Sequence, residues 1–101
     1  MKLTHDKFLN GRFTAAQPQS GYRAGTDPVL LAAACTAKQG DRVLELGIGA
    51  GVASLCLAVR VPEIRLHGVE QQPFYAGLAM RNAASAGANL LVQIADMLYQ
   101  C

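Results

Sequence analysis

Charge of either sign is scarce in this 101-residue chain. Only 16% of the residues are charged and the formal net charge is +2. That balance is too weak to mark a nucleic-acid surface by itself. The three cysteines, Cys35, Cys56 and Cys101, have no Cys-x-x-Cys spacing and no clustered histidines beside them. A zinc site and a disulfide framework are therefore not expected, and no metal site is assigned. Reduced thiols fit a cytoplasmic protein. No apolar run approaches the length of a membrane span, and Met1 to Lys7 lacks the apolar core of a signal peptide. No internal repeat and no low-complexity segment is present. What the chain has in excess is apolar side chain, at 51%. A domain this short buries only about 60–65% of its unfolded surface. Some of that apolar surface is expected to await a partner.

Residues 1–25 are rich in turn signals: Asn10-Gly11, Gln17-Pro18, Ser20-Gly21 and Ala24-Gly25. They read as an irregular arm with one short hairpin at Asn10-Gly11. Lys2, Lys7, Arg12 and Arg23 make the arm basic, so it is either a solvated segment or an RNA contact. Thr26-Asp27-Pro28 opens a helix, with Asp27 as its cap and Pro28 at its first position. The body from Val29 to Ala37 is apolar on nearly every face, which predicts a well-buried helix ended by Gly40. Strand Arg42 to Leu46, helix Val52 to Val59, strand Ile64 to Glu70, helix Phe74 to Ala86 and strand Leu90 to Ala95 follow. Pro62 breaks one helix and Gly87 caps another. Alternation of strand and helix predicts an α/β fold with a parallel sheet and right-handed crossovers. Tyr75, Leu78 and Met80 read as helix packing or surface, and Cys35 and Cys56 as small core residues.

The chemistry is concentrated where the first of these strands turns into a helix. Gly47, Gly49 and Gly51 let backbone approach a ligand that crosses the end of the sheet. Glu70 ends the next strand, where a carboxylate can accept hydrogen bonds from two ribose hydroxyls. These features indicate an adenosine-type ligand. The Gly-x-Gly-x-Gly spacing departs from the Gly-x-Gly-x-x-Gly of dinucleotide folds, which would need glycine at Val52 or Ser54. Glu45 inside the strand is a costly charge unless it is used, and it suits a cation better than a pyrophosphate. Asp96 ends the third strand, within reach of an adenine edge.

Glu45 to Gly51, Gly68-Val69-Glu70-Gln71 and Ala95-Asp96-Met97 resemble the cofactor segments of class I S-adenosylmethionine (SAM) methyltransferases. Phe8-Leu9-Asn10-Gly11-Arg12-Phe13, Gln17-Pro18 and Gly21 to Ala33 resemble the N-terminus of the small-domain members, as does Arg81-Asn82-Ala83-Ala84. Those members are similar to the valine-tRNA enzyme that methylates the exocyclic amine of an adenine. The resemblance implies the three-layer, Rossmann-like class I fold, here its first three strands and their helices. It implies an irregular arm at 1–25 and the front half of a SAM-binding domain at 26–101. It implies SAM as cofactor, held by Glu45, Gly47, Gly49, Gly51, Glu70, Gln71, Asp96 and Met97. Thr26 and Asp27 would lie near its methionine end. A tRNA or other RNA substrate is implied in turn. The Asn-Pro-Pro-Tyr type catalytic motif of this family occurs nowhere in the chain and is expected beyond Cys101. A truncated chain is accordingly expected, inactive alone, that self-associates or lacks a C-terminal half. The alternatives are a nicotinamide-dependent oxidoreductase fragment and a non-catalytic half-domain that acts by association.

Overall fold

Eight short elements share one small core, centred on α2. A computed structural model describes residues 2–21 and 27–96. Its elements are β1 (Leu3–Phe8), β2 (Phe13–Pro18), α1 (Asp27–Ala34), β3 (Arg42–Leu46), α2 (Val52–Arg60), β4 (Arg65–Glu70), α3 (Pro73–Ala86) and β5 (Leu90–Ile94). β3, β4 and β5 form a parallel sheet in that order, with Val43 opposite Leu66 and Leu66 opposite Leu90. β1 and β2 form a separate antiparallel hairpin, with Phe8 opposite Phe13 and Leu3 opposite Pro18.

The hairpin turns at Asn10-Gly11, as its sequence predicts, but it is far longer than an irregular arm. Six residues pair with six, and the turn holds Leu9, Asn10 and Gly11 at positive φ. The periodicity was masked because β2 buries both of its faces. Phe13, Ala15, Ala16 and Gln17 are all buried, so no alternation marks the strand. Phe8 and Phe13 stack at 5.5 Å beside the turn.

Pro62 and Gly87 act as the sequence predicts. α2 ends at Arg60, two residues before Pro62. α3 ends in a left-handed Gly87, whose N–H donates back to the carbonyl of Ala84. α1 differs from expectation. It stops at Ala34, six residues before Gly40, and it is not well buried. Ala32 is its buried residue, whereas Leu30, Leu31, Ala33 and Ala34 are exposed. Apolar composition alone overstated its burial, because α1 packs chiefly on α2 and leaves its other faces open. Arg60 ties the end of α1 down: its guanidinium donates to the carbonyls of Ala32, at 2.9 Å, and Cys35. Both carbonyls lie at a helix C-terminus, where a cation is favoured, and that of Ala32 also accepts the Cys35 N–H at 3.3 Å.

The core is built from α2 and the sheet face beneath it. Leu55, Cys56, Leu57, Ile64 and Leu66 join Phe13, Ala32 and Ala83, with Val43 and Leu90 packed against them. Cys56 is buried there and its thiol is pushed up to about 11 by that burial, so it stays neutral. Residues opposite one another in a parallel ladder share a face. Val43, Glu45, Leu66, Gly68 and Glu70 thus face the helices, and Leu44, Leu46, His67 and Leu91 face away. Leu44, Leu46 and Leu91 are 59%, 64% and 67% exposed. The described residues therefore supply the sheet and one helical layer.

Candidate functional site

The end of a parallel sheet collects the loops that follow its strands, and the β3–α2 loop carries three of the chain's glycines. Gly47, Gly49 and Gly51 have φ of 68°, 58° and 90°. Side chains rarely adopt these values, which is the local reason for three glycines. The amides of Gly47 and Ile48 both donate to the carbonyl of Val69, at 2.8 and 3.1 Å. The loop is thereby pinned to the end of β4.

Glu70 closes the arrangement. One of its carboxylate oxygens accepts the Gly49 N–H and the other accepts the Gln72 N–H, each at 3.0 Å. Its side chain is buried, and each oxygen retains a further acceptor position. Glu45 lies on the same sheet face, opposite Gly68, and accepts a hydrogen bond from the Ser54 hydroxyl at 2.5 Å. A recess of about 380 Å³ opens between these groups. That volume suits a small-molecule ligand. Glu45, Gly47, Gly49 and Glu70 line it, with Ile48, Ala50, Val52 and Ala53. A Cβ at Gly49 would meet nothing within 4 Å, so the space in front of it is part of the recess.

The remaining residues expected at the site divide. Gln71 and Asp96 lie in an adjoining recess with Pro73 and Phe74, and Gln72 lines both. Gly51 does not line the main recess. It is buried at the start of α2, where a Cβ would stand 3.4 Å from that of Ala79. That close approach of α2 and α3 gives Gly51 a packing duty at this position. Thr26 and Met97 lie outside the described residues, as does the side chain of Asp27. The backbone of Asp27 does begin α1, and Pro28 after it borders the recess.

Three polar lining residues were not singled out by the sequence. Gln17 comes from the hairpin, and Gln72 and Tyr75 from the start of α3. Tyr75, read as packing or surface, is half-buried and stands edge-on to Phe74 at 5.4 Å. Gln17 is 2% exposed, and its amide donates to Asp6 at 2.9 Å. The Gln-Pro dipeptide signalled a turn, and nothing local revealed that its glutamine borders a ligand space 30 residues further along the chain.

Electrostatically the recess is acidic. Desolvation raises the pKa of Glu45, opposed by the hydrogen bonds from Ser54. A folded-state pKa above the unfolded value means that the ionised form is penalised by folding. The group's contribution is most favourable below its unfolded pKa and is lost as pH rises through its folded pKa. Glu45→Gln keeps an acceptor for Ser54 and removes the charge. It is expected to raise the neutral-pH stability of the ligand-free protein by about 1 kcal/mol or less, the group being partly screened. It is also expected to flatten the stability profile between acid and neutral pH. Thermal unfolding across that range checks both, and a Tm unchanged or lowered at neutral pH contradicts them.

Among the described residues no group of His, Cys, Asp or Glu could hold a metal ion, and no helix is long and apolar enough to cross a membrane.

No protein-family model matches the chain. It is 37% identical over 80 residues to the tRNA1(Val) (adenine(37)-N6)-methyltransferase of Yersinia enterocolitica, covering 78% of this chain and 32% of that protein. Against the enzyme of the same description from Actinobacillus succinogenes it is 35% identical over 100 residues, covering 93% of this chain and 42% of that protein. The chain thus spans 32% to 42% of the length of these curated relatives. Among solved structures, a SAM-dependent methyltransferase from Thiobacillus denitrificans in complex with S-adenosyl-L-homocysteine superimposes with a TM-score of 0.60 at 27% identity. It covers 68% of this chain, which covers 28% of it. The fold is that of the class I, Rossmann-like methyltransferases.

Proposed function

We propose that this chain, which carries the front of the class I methyltransferase fold and resembles part of the tRNA1(Val) adenine methyltransferases, is the SAM-holding portion of an enzyme that methylates the exocyclic amine of an adenine in tRNA. The observation that carries the reading is the pair of carboxylates, Glu45 and Glu70, facing one recess beside a loop of left-handed glycines. Two acidic groups repel a pyrophosphate and attract a ligand that brings hydroxyls and a positive charge. That pairing argues against a nicotinamide dinucleotide.

In this reading Glu70 receives the ribose hydroxyls through its outward acceptor positions, with Gly49 and Gln72 holding its two oxygens in place. Glu45 faces the cationic end of the cofactor. Gln71, Asp96 and the exposed Phe74 border the recess where the adenine would rest, and the reading extends to Met97, Thr26 and Asp27 by resemblance. Bound SAM would supply a methyl group already activated by its sulfonium, so the chain's task is alignment. The residues that grip the target amine belong to an Asn-Pro-Pro-Tyr type motif that this sequence does not contain. The exposed Leu44, Leu46 and Leu91, and a β3 that pairs on one side alone among the described residues, support cover by a C-terminal half or by a second copy. The division into an arm at 1–25 and a cofactor unit at 26–101 is part of the same reading, with the qualification that Gln17 of the arm borders the recess. A tRNA substrate makes the cytoplasm the working compartment.

Titration calorimetry with S-adenosyl-L-homocysteine (SAH), and separately with NADH, tests this. Saturable heat with SAH and none with NADH is expected. Binding of NADH and not SAH overturns the reading.

A further inference from the structure

Asn82 is one of the most buried polar side chains among the described residues, at 2% exposed, yet it sits on α3 and does not border the recess. A buried amide is costly unless it is satisfied. Asn82 is satisfied by two segments far from it in sequence. Its Oδ1 accepts the Ala16 N–H at 2.7 Å, and its Nδ2 donates to the Ala16 carbonyl at 3.0 Å. The second hydrogen on Nδ2 goes to the Ala50 carbonyl at 2.9 Å. Both donors and one acceptor position of the amide are therefore spent on main chain.

The two clients matter. Ala16 precedes Gln17, which borders the recess from the hairpin side. Ala50 lies in the glycine loop between Gly49 and Gly51 and itself borders the recess. Ala16 and Ala50 also pack together with Leu78, so the amide operates inside a small apolar cluster. In such surroundings its bonds are directional and an unmet partner is expensive. One side chain thus fixes the position of the hairpin wall and of the glycine loop relative to each other.

We propose that Asn82 is a positioning residue for cofactor binding: it couples docking of the N-terminal hairpin to the geometry of the glycine loop, making the hairpin a functional wall of the site. This deepens the SAM reading above and rests on it.

The test uses the whole chain with SAH as probe. In the wild type, SAH is expected to slow amide exchange at Gly49 to Val52 and also at Ala16 and Gln17 of the hairpin. Asn82→Asp keeps the acceptor for Ala16 but cannot give two hydrogens to two carbonyls. It is expected to weaken SAH affinity about tenfold or more, on the scale of one to two buried hydrogen bonds. Exchange in β3, β4 and β5 is expected to remain slow, which separates mispositioning from global unfolding. Equal SAH affinity in a folded Asn82→Asp, or wild-type hairpin amides indifferent to saturating SAH, overturns the inference while the SAM reading stands. The second measurement needs no variant, so it decides even if Asn82→Asp does not fold. No SAH heat with the wild type overturns both.

Discussion

Glu70→Ala is expected to weaken SAH binding by about 2–3 kcal/mol, roughly 30- to 150-fold, the largest loss from any single side chain at the recess. Two effects combine. The first is the loss of a carboxylate acceptor for ligand hydroxyls, a charge-assisted bond stronger than a neutral one. The second is internal. The Gly49 and Gln72 amides now end on the two Glu70 oxygens. Alanine leaves both donors inside a part-buried site without their acceptor, and the loop that carries Gly49 loses one of its ties to the end of β4, keeping those from Gly47 and Ile48 to Val69. Glu70→Gln separates the two effects. Its single oxygen can serve one amide, and its NH2 must then face the other donor. Its affinity is therefore expected to lie near that of the alanine variant rather than near the wild type. Calorimetry on both variants provides the comparison. A Glu70→Gln protein that binds SAH within threefold of the wild type contradicts the role given to the second oxygen.

The parts of this site that were legible in the sequence are those encoded within a few residues. The strand from Arg42 to Leu46 has the bounds its composition predicts, because Asp41 precedes it and Gly47 stops it. Gly47 and Gly49 declared a turn with backbone open to a ligand, and the structure puts both at the recess. Glu45 declared itself as a charge in an apolar strand, and Glu70 by its place at the end of the next. Gly51 looked identical to its two neighbours in sequence. Its difference is that Ala79, 28 positions later, occupies the space beside it. Long-range contacts of that kind were not legible. Gln17 joins the recess because the hairpin packs on α3. Asn82 was noticed as part of a helix motif, but its partners are 66 and 32 residues away. The exposure of Leu30 and Leu31 likewise depends on which neighbours α1 has, and composition carries no information about that.

Gly68 shows how a residue with no charge and no hydrogen-bonding side chain controls the same site. It lies in the middle of β4, opposite Glu45 on one side and Val92 on the other. A Cβ added there would collide with Ile48 Cδ1 and stand 3.1 Å from both Ile48 Cβ and Cγ2. The terminal methyl can swing away, but the Cβ can retreat only with its backbone. That backbone is held, because the Gly47 and Ile48 amides both donate to Val69, the residue next to Gly68. The loop is thus tied to the strand from which it would have to withdraw. Gly68→Ala is expected to cost about 1–3 kcal/mol of stability, the usual range for overpacking. It is also expected to weaken SAH binding, since Ile48 borders the recess between Gly47 and Gly49. Trimming the neighbour distinguishes this from a general loss of strand quality. Ile48→Ala alone opens a cavity at a buried position, with a cost of about 2–5 kcal/mol. In the double variant the new methyl enters the vacated space, so the two costs are expected to fall short of their sum by about 1 kcal/mol or more. Denaturant unfolding of the four proteins measures that coupling. Additive costs contradict the clash with Ile48 and leave Gly68 as an ordinary strand glycine.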